Sequence, residues 1–201
     1  NEIGPALLGS VVADFACQYP ELEISCVTNL SGFESLRDDL DLAVIVSRGQ
    51  MDDCDYIARH LVTIPCTIVA APSVIQRYGT PSRIQQFEEL PCITTVSALR
   101  GAPWQFVTKK GAFETINVTA HSRVNSGEIA GRAPVAGVGF AILSKQACQP
   151  YINNGQLIEV EFEQSPAPLQ LFALYSERRY LPAKTRALID FMQQKLSKNP
   201  E

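Results

Sequence analysis

Three short polar segments, each at the start of a stretch with helical apolar spacing, are the parts of this sequence best suited to hold a small ligand. A helix start offers free backbone N–H groups and the positive end of the helix dipole, which together attract carboxylates. Serine and asparagine at such positions often serve only as helix caps, without any ligand. The candidate residues are Ile3, Gly4, Asn29, Ser31, Gly32, Asn125, Ser126 and Gly127.

No lysine or arginine is clearly placed to bind a carboxylate at these segments. Arg48 and Arg100 lie near the expected loops, and a loop arginine is usually a solvated surface charge. The 17 Lys and Arg residues are scattered, the net charge is −4 and the pI is about 5.3. Because phosphate neutralisation requires a basic face, we expect that this chain does not itself bind DNA.

Residues suited to catalysis are few. The two histidines, His60 and His121, lie in segments of extended pattern, and neither a G-x-S-x-G nor an H-E-x-x-H motif is present. The carboxylate pairs are sequence neighbours, whose side chains point apart, so they do not form an acid/base pair facing one substrate. Gly137-Val138-Gly139 lacks the third glycine of a dinucleotide site. The sequence therefore predicts that the protein is not an enzyme and that it holds neither a cofactor nor a metal ion.

The six cysteines are far apart and include no C-x-x-C pair, which disfavours a zinc site or a thioredoxin-like motif. Cys26 and Cys66 lie within apolar runs and are expected in the core. Buried reduced thiols in a cytosolic protein are the favoured interpretation, and a redox-sensing thiol is the alternative. No apolar run approaches the length of a membrane span, and the N-terminus has no basic region followed by an apolar core, so we expect no signal peptide. We expect a cytoplasmic location.

The first quarter of the chain alternates helix and strand. Apolar spacing predicts a helix over residues 5–18, with Pro5 in its first turn and Tyr19-Pro20 ending it. Polar–apolar alternation predicts a strand over 22–27, and a short helix over 33–40 follows. The apolar run over 41–46 is typical of a buried, parallel strand. This order indicates an α/β domain with a parallel sheet.

The rest of the chain continues the alternation, interrupted by a predicted hairpin around Lys109-Lys110-Gly111. Pro134 falls inside a predicted helix, which it is expected to kink or shorten. Strands or extended segments are predicted over 56–62, 66–71, 92–96, 104–106, 115–118, 122–124, 140–143, 157–160 and 169–175. Helices are predicted over 72–78, 84–87, 127–136, 144–151 and 182–195.

Six motifs, in order over most of the chain, resemble the effector-binding domain of LysR-type transcriptional regulators. Asp39 stands where that family usually has glycine, and Ser144 where a proline often follows the leucine. The motifs are Phe15-Ala16-Cys17-Gln18-Tyr19-Pro20; Asp39-Leu40-Asp41-Leu42-Ala43-Val44; Ala71-Pro72 with Tyr78-Gly79-Thr80-Pro81 and Phe87-Glu88-Glu89-Leu90; Ala136-Gly137-Val138-Gly139-Phe140-Ala141-Ile142-Leu143; Asn154-Gly155-Gln156-Leu157-Ile158-Glu159-Val160; and Tyr180-Leu181-Pro182-Ala183-Lys184-Thr185-Arg186.

The resemblance implies an α/β fold of the periplasmic-binding-protein type 2 class, with two Rossmann-like lobes joined by crossover strands. Lobe I would comprise residues 1–70 and 172–201, and lobe II residues 71–171. A small-molecule effector, for which the helix starts favour an anion, would bind between them, at the helix starts named above and at the strand ends Val46-Ser47 and Thr95-Val96. The family's first strand and its N-terminal winged helix-turn-helix have no counterpart in this chain.

The resemblance also implies a homodimer or tetramer that contacts DNA only through that N-terminal domain. Ligand binding would shift the lobes and the contact between subunits. The main alternative is a periplasmic solute-binding protein of a transporter, which shares the fold but is disfavoured by six unpaired cysteines. A porphobilinogen deaminase-like enzyme is a further alternative, disfavoured by the lack of a basic cleft.

Overall fold

The computed structural model describes residues 3–27, 40–49, 56–95, 99–100, 104–124, 127–176 and 181–198. The helices in these ranges are α1 (Ile3–Gln18), α2 (Pro72–Tyr78), α3 (Gly127–Val135), α4 (Lys145–Asn153) and α5 (Ala183–Lys198), with a single 3-10 helix at Ile84–Glu88. The strands are β1 (Ala43–Arg48), β2 (Tyr56–Ile64), β3 (Cys66–Ala70), β4 (Cys92–Thr95), β5 (Leu99–Arg100), β6 (Gln105–Val107), β7 (Phe113–Thr115), β8 (Ala120–Val124), β9 (Ala141–Ser144), β10 (Ile158–Val160), β11 (Ser165–Pro166) and β12 (Leu169–Ser176).

The largest sheet has the order β2-β12-β1-β5. Its middle strand β12 is antiparallel to both neighbours, and β1 pairs in parallel with the two-residue strand β5. Helices α1 and α5 pack together beside this sheet. Their contact includes the rings of Phe15 and Phe191, 5.3 Å apart, and an ion pair of 2.7 Å between Lys195 and Asp14.

The remaining strands form three smaller sheets: β10-β3-β9, the parallel pair β4-β8, and β11-β6-β7. A single parallel bridge between Cys92 and Phe140 joins the first two. The rings of Trp104, Phe140 and Phe162 all lie within 5.5 Å of the Phe87 ring, centroid to centroid. Phe87, Trp104 and Phe140 are fully buried and Phe162 is partly buried, so this aromatic cluster forms part of the core on this side of the molecule.

The chain passes between the two groups of strands twice. Strands β2 and β3 are separated only by Pro65, yet β2 pairs with β12 whereas β3 pairs with β9 and β10. The return passage lies between Pro166, which pairs with β6, and Leu169, which pairs with Ile64 and Arg48. Both connecting segments therefore change sheet partners beside the Ile64–Leu169 pair.

Most predicted elements are confirmed, and three expectations are wrong. Residues 22–27 join none of the sheets, since no described strand lies alongside to complete their hydrogen bonds. Most strand pairs are antiparallel, so the expected parallel sheet is restricted to two short pairs and one bridge. Cys26 is exposed rather than in the core, whereas Cys66 is buried as expected. The predicted helix over 33–40 lies almost wholly outside the described residues.

Candidate functional site

Arg48 is the one charged side chain that is fully buried in the part of the chain that the structure describes, with 3% of its surface exposed. It is the last residue of β1, and its Nη1 donates a hydrogen bond of 2.7 Å to the carbonyl oxygen of Ala167. Its Nε is buried and has no acceptor. The expectation that Arg48 is a solvated surface charge is therefore wrong, because strands from both halves of the fold close over it.

Arg48 borders a recess between the two groups of strands. The other residues that line the recess are Ile93, Thr95, Trp104, Ala130, Ala141, Ile142 and Leu143. Its enclosed part measures about 10 Å³, room for one water molecule, and the recess with its open mouth measures about 260 Å³. Sites for drug-sized ligands occupy roughly 300–1,000 Å³, so this recess suits a ligand of only a few non-hydrogen atoms.

Trp104 forms a rigid wall of the recess. It is 1% exposed, its Nε1 donates to the carbonyl oxygen of Ile93 at 3.2 Å, and its ring packs against Phe87 and Phe106. The sequence analysis assigned Trp104 only to a strand and did not foresee this role. The available signal in the sequence was a single tryptophan near short apolar runs. Such a pattern does not indicate that the tryptophan lines a binding site.

Gly49 fixes the chain directly after Arg48. Its φ is +68°, a conformation that favours glycine, and its N–H donates to the carbonyl oxygen of Pro168 at 3.3 Å. A Cβ at this position would lie 1.9 Å from Oε1 of Gln105. The side chain of Gln105 on β6 therefore packs directly against the backbone of Gly49, next to Arg48.

The structure brings together three of the predicted site segments. Val46 and Ser47 are buried on β1 beside β5, Thr95 lines the recess, and Gly127 begins α3, whose Ala130 lines it too. The ends of β1 and β4 and the first turn of α3 thus meet at one place, as expected for ligand sites in α/β folds.

Other predicted site residues are placed differently or lie outside the described residues. Ile3 and Gly4 do not precede the first helix, because α1 already begins at Ile3. Pro5 permits this longer helix, since the first-turn N–H that proline lacks would have no helical partner. The residues outside the described ranges are Asn29, Ser31, Gly32, Val96, Asn125 and Ser126, and of Arg100 only its place in β5 is described.

The described residues offer no second chemical centre. No group of three His, Cys, Asp or Glu side chains among them is arranged to hold a metal ion. Burial raises the pKa of the Cys92 thiol to about 12, and burial, Cys66 and Glu159 together raise the pKa of Cys148 to about 12. Both thiols are therefore protonated and poorly nucleophilic near neutral pH. No helix among the described residues has the length and apolar character to cross a membrane.

Comparison with curated proteins finds several transcription regulators. The chain is 26% identical over 207 residues to the HTH-type transcriptional activator TtdR of Escherichia coli K12. The aligned region covers 98% of this chain and 64% of TtdR. It is 30% identical to the HTH-type transcriptional regulator DmlR of the same strain, covering 96% of this chain and 60% of DmlR. The chain thus spans less than two thirds of the length of these relatives.

Solved structures show the same fold. The regulatory domain of AphB from Vibrio vulnificus superposes with a TM-score of 0.69 at 22% identity, covering 92% of this chain and 90% of that one. CrgA from Neisseria meningitidis, titled a LysR-type transcriptional regulator, superposes with a TM-score of 0.68 at 26% identity, covering 94% of this chain and 64% of that one. The family model described as the LysR substrate binding domain matches residues 1–197. The chain therefore belongs to the LysR substrate-binding domain family.

Proposed function

We propose that this effector-binding domain senses a small molecule in the recess and relays its occupancy to a DNA-binding segment outside this chain. The observation that supports this most is the convergence of the ends of β1 and β4 and the first turn of α3 on one recess that contains a buried arginine. The curated relatives are transcription regulators, which favours this function over the solute-binding alternative.

We assign the two lobes to residues 1–70 with 172–201 and to residues 71–171. The change of sheet partners at Pro65 and again between Pro166 and Leu169 supports a division into two lobes, although both changes lie a few residues before these bounds. Contacts between the proposed lobes include the hydrogen bond from Arg48 to the carbonyl oxygen of Ala167 and the one from the N–H of Gly49 to the carbonyl oxygen of Pro168. A ligand that changes either contact would shift the lobes relative to each other.

The whole protein is proposed to be a cytoplasmic homodimer or tetramer that binds DNA through an N-terminal winged helix-turn-helix and has no enzymatic activity. A ligand shifts such a regulator only through a difference in affinity between its two states. A coupling of 10-fold between effector and DNA corresponds to about 1.4 kcal/mol, within the range usual for allosteric proteins.

Thermal unfolding of the 201-residue chain against a panel of small metabolites tests the sensor function. We expect at least one saturable rise in melting temperature, and we expect it to vanish in Thr95→Leu, which enlarges a side chain at the recess. Thr80→Leu, at an exposed position, is the matched control. A panel without a single saturating compound, or equal responses from the two variants, would contradict the proposal.

A further inference from the structure

We propose that Arg48 is the specificity-determining residue of the recess and that it selects a small monocarboxylate. This inference rests on the proposed function, because it names the chemical class of the ligand that the same recess takes. Three observations support it: the charge of Arg48 has no acidic partner among the described residues, its buried Nε has no acceptor, and the enclosed part of the recess is small.

The charge of Arg48 stands out against the other arginines of the chain. Arg59 is paired with Asp190 at 3.0 Å and Arg132 with Glu128 at 2.9 Å, and all four side chains are at least one third exposed. Arg48 is 3% exposed and has no acidic partner in the described part of the chain. A buried cation without a counterion is strongly unfavourable, so the environment of Arg48 is completed by an anion.

The edge of the guanidinium that carries Nε determines the shape of that anion. Nη1 donates to the carbonyl oxygen of Ala167, whereas Nε has no acceptor. Nε and the adjacent Nη2 carry parallel N–H bonds, and this edge fits the two oxygens of one carboxylate. The guanidinium can therefore keep its bond to Ala167 while it holds a ligand.

The walls and size of the recess restrict the rest of the ligand. Apart from Arg48 and Thr95, the recess is lined by apolar side chains, with Trp104 as the largest. The enclosed part of the recess has room for one water-sized group, so a tail beyond the carboxylate would extend into the open mouth of the recess. One guanidinium offsets one negative charge, so a second carboxylate would be buried without a partner. These features favour a short monocarboxylate over a dianion such as phosphate.

The probes are sodium salts of acetate, propionate, butyrate and benzoate, each compared with its primary amide at equal ionic strength. Succinate, sulfate and phosphate form the dianion set. We expect one or more monocarboxylates to raise the melting temperature in a saturable way and the matched amides to have no effect, since an amide lacks the charge that pairs with Arg48. A larger shift from the dianions than from every monocarboxylate would overturn the assignment.

Variants of Arg48 separate binding from folding. Arg48→Met should weaken binding of the stabilising carboxylate by about 100-fold, the usual loss for a charged bidentate pair. The ligand-free melting temperature of this variant should be unchanged or higher, because a buried charge is removed. Arg48→Lys keeps the charge but not the bidentate edge, so we expect a loss of about 10-fold. Arg186→Met, at an exposed arginine of α5, is the matched control and should bind as the wild type does.

The outcomes also separate this inference from the sensor function. If neutral compounds stabilise the chain through the recess and no carboxylate does, the inference is wrong and the proposed function stands. If no compound of any charge stabilises it, both are wrong. If Arg48→Met binds carboxylates like the wild type and melts at a lower temperature, Arg48 is a structural residue and the inference is wrong.

Discussion

The indole Nε1 of Trp104 donates a hydrogen bond of 3.2 Å to the carbonyl oxygen of Ile93, which joins the start of the β6–β7 hairpin to β4 at the wall of the recess. Trp104→Phe removes this donor and leaves a small void beside Phe87. We expect a loss of about 1–3 kcal/mol in the free energy of unfolding. Urea titration followed by circular dichroism measures it, and a variant as stable as the wild type would show that the bond contributes nothing.

Trp104 is also the single tryptophan of the sequence, and it lines the recess. Occupancy of the recess should therefore change the intensity or wavelength of tryptophan emission. We expect a saturable emission change that yields the same dissociation constant as thermal unfolding does. Stabilisation by a compound that leaves the emission unchanged would indicate binding elsewhere on the chain.

Two glycines should respond to alanine with opposite signs. A Cβ at Gly139 would lie 2.2 Å from the carbonyl oxygen of Pro91, which accepts a hydrogen bond from the N–H of Phe140. Because the obstacle is backbone, Gly139→Ala should destabilise by about 3 kcal/mol. Gly131 lies within α3 with no atom inside 4 Å of an added Cβ, so Gly131→Ala should stabilise by roughly 0.5–1 kcal/mol. Paired chemical denaturation curves give both values, and equal signs would contradict the argument.

The buried thiols predict how stability depends on alkaline pH. The pKa values of Cys92 and Cys148 are raised from 9.0 to about 12, so between these values the unfolded state has lost protons that the folded state keeps. Stability is therefore intact below pH 9 and falls as the pH rises towards 12, by about 1.4 kcal/mol per unit for each thiol.

Denaturation curves at pH 8 and pH 10 measure this loss. The double variant Cys92→Ala/Cys148→Ala should lose less stability than the wild type between these two pH values. Cys17→Ala, at an exposed position, should lose as much as the wild type does. A double variant with the full wild-type loss would mean that other groups cause it.

Local signals in the sequence were sufficient for several elements. The helix over 72–78 was predicted with its observed bounds because Pro72 suits a first turn and Gly79 ends it with a φ of +79°. The strand predicted over 22–27 failed because alternation describes one strand, whereas a ladder requires a neighbour.

The sequence could not reveal that Arg48 is buried, because the groups that surround Arg48 are distant from it in the chain. An arginine followed by glycine is typical of an exposed turn, and the acceptor that holds it, Ala167, is 119 positions away. The recess likewise combines one residue of β1 with residues from β4, α3 and β9. The general rule that ligands bind at strand ends and helix starts led to the predictions at Val46-Ser47, Thr95 and Gly127; of these residues Thr95 lines the recess, and their binding role stays a prediction.

The position of β12 has a consequence for synthesis of the chain on the ribosome. β12 lies between β1 and β2, although about 100 residues separate it from β2 in sequence. At roughly 5–20 residues per second, the inner edges of β1 and β2 remain open for on the order of 5–20 s before their shared neighbour emerges. Open strand edges invite pairing with other chains, so the nascent protein is at its most aggregation-prone in this interval. A chain whose synthesis stops before Leu169 would keep these edges of β1 and β2 unpaired permanently.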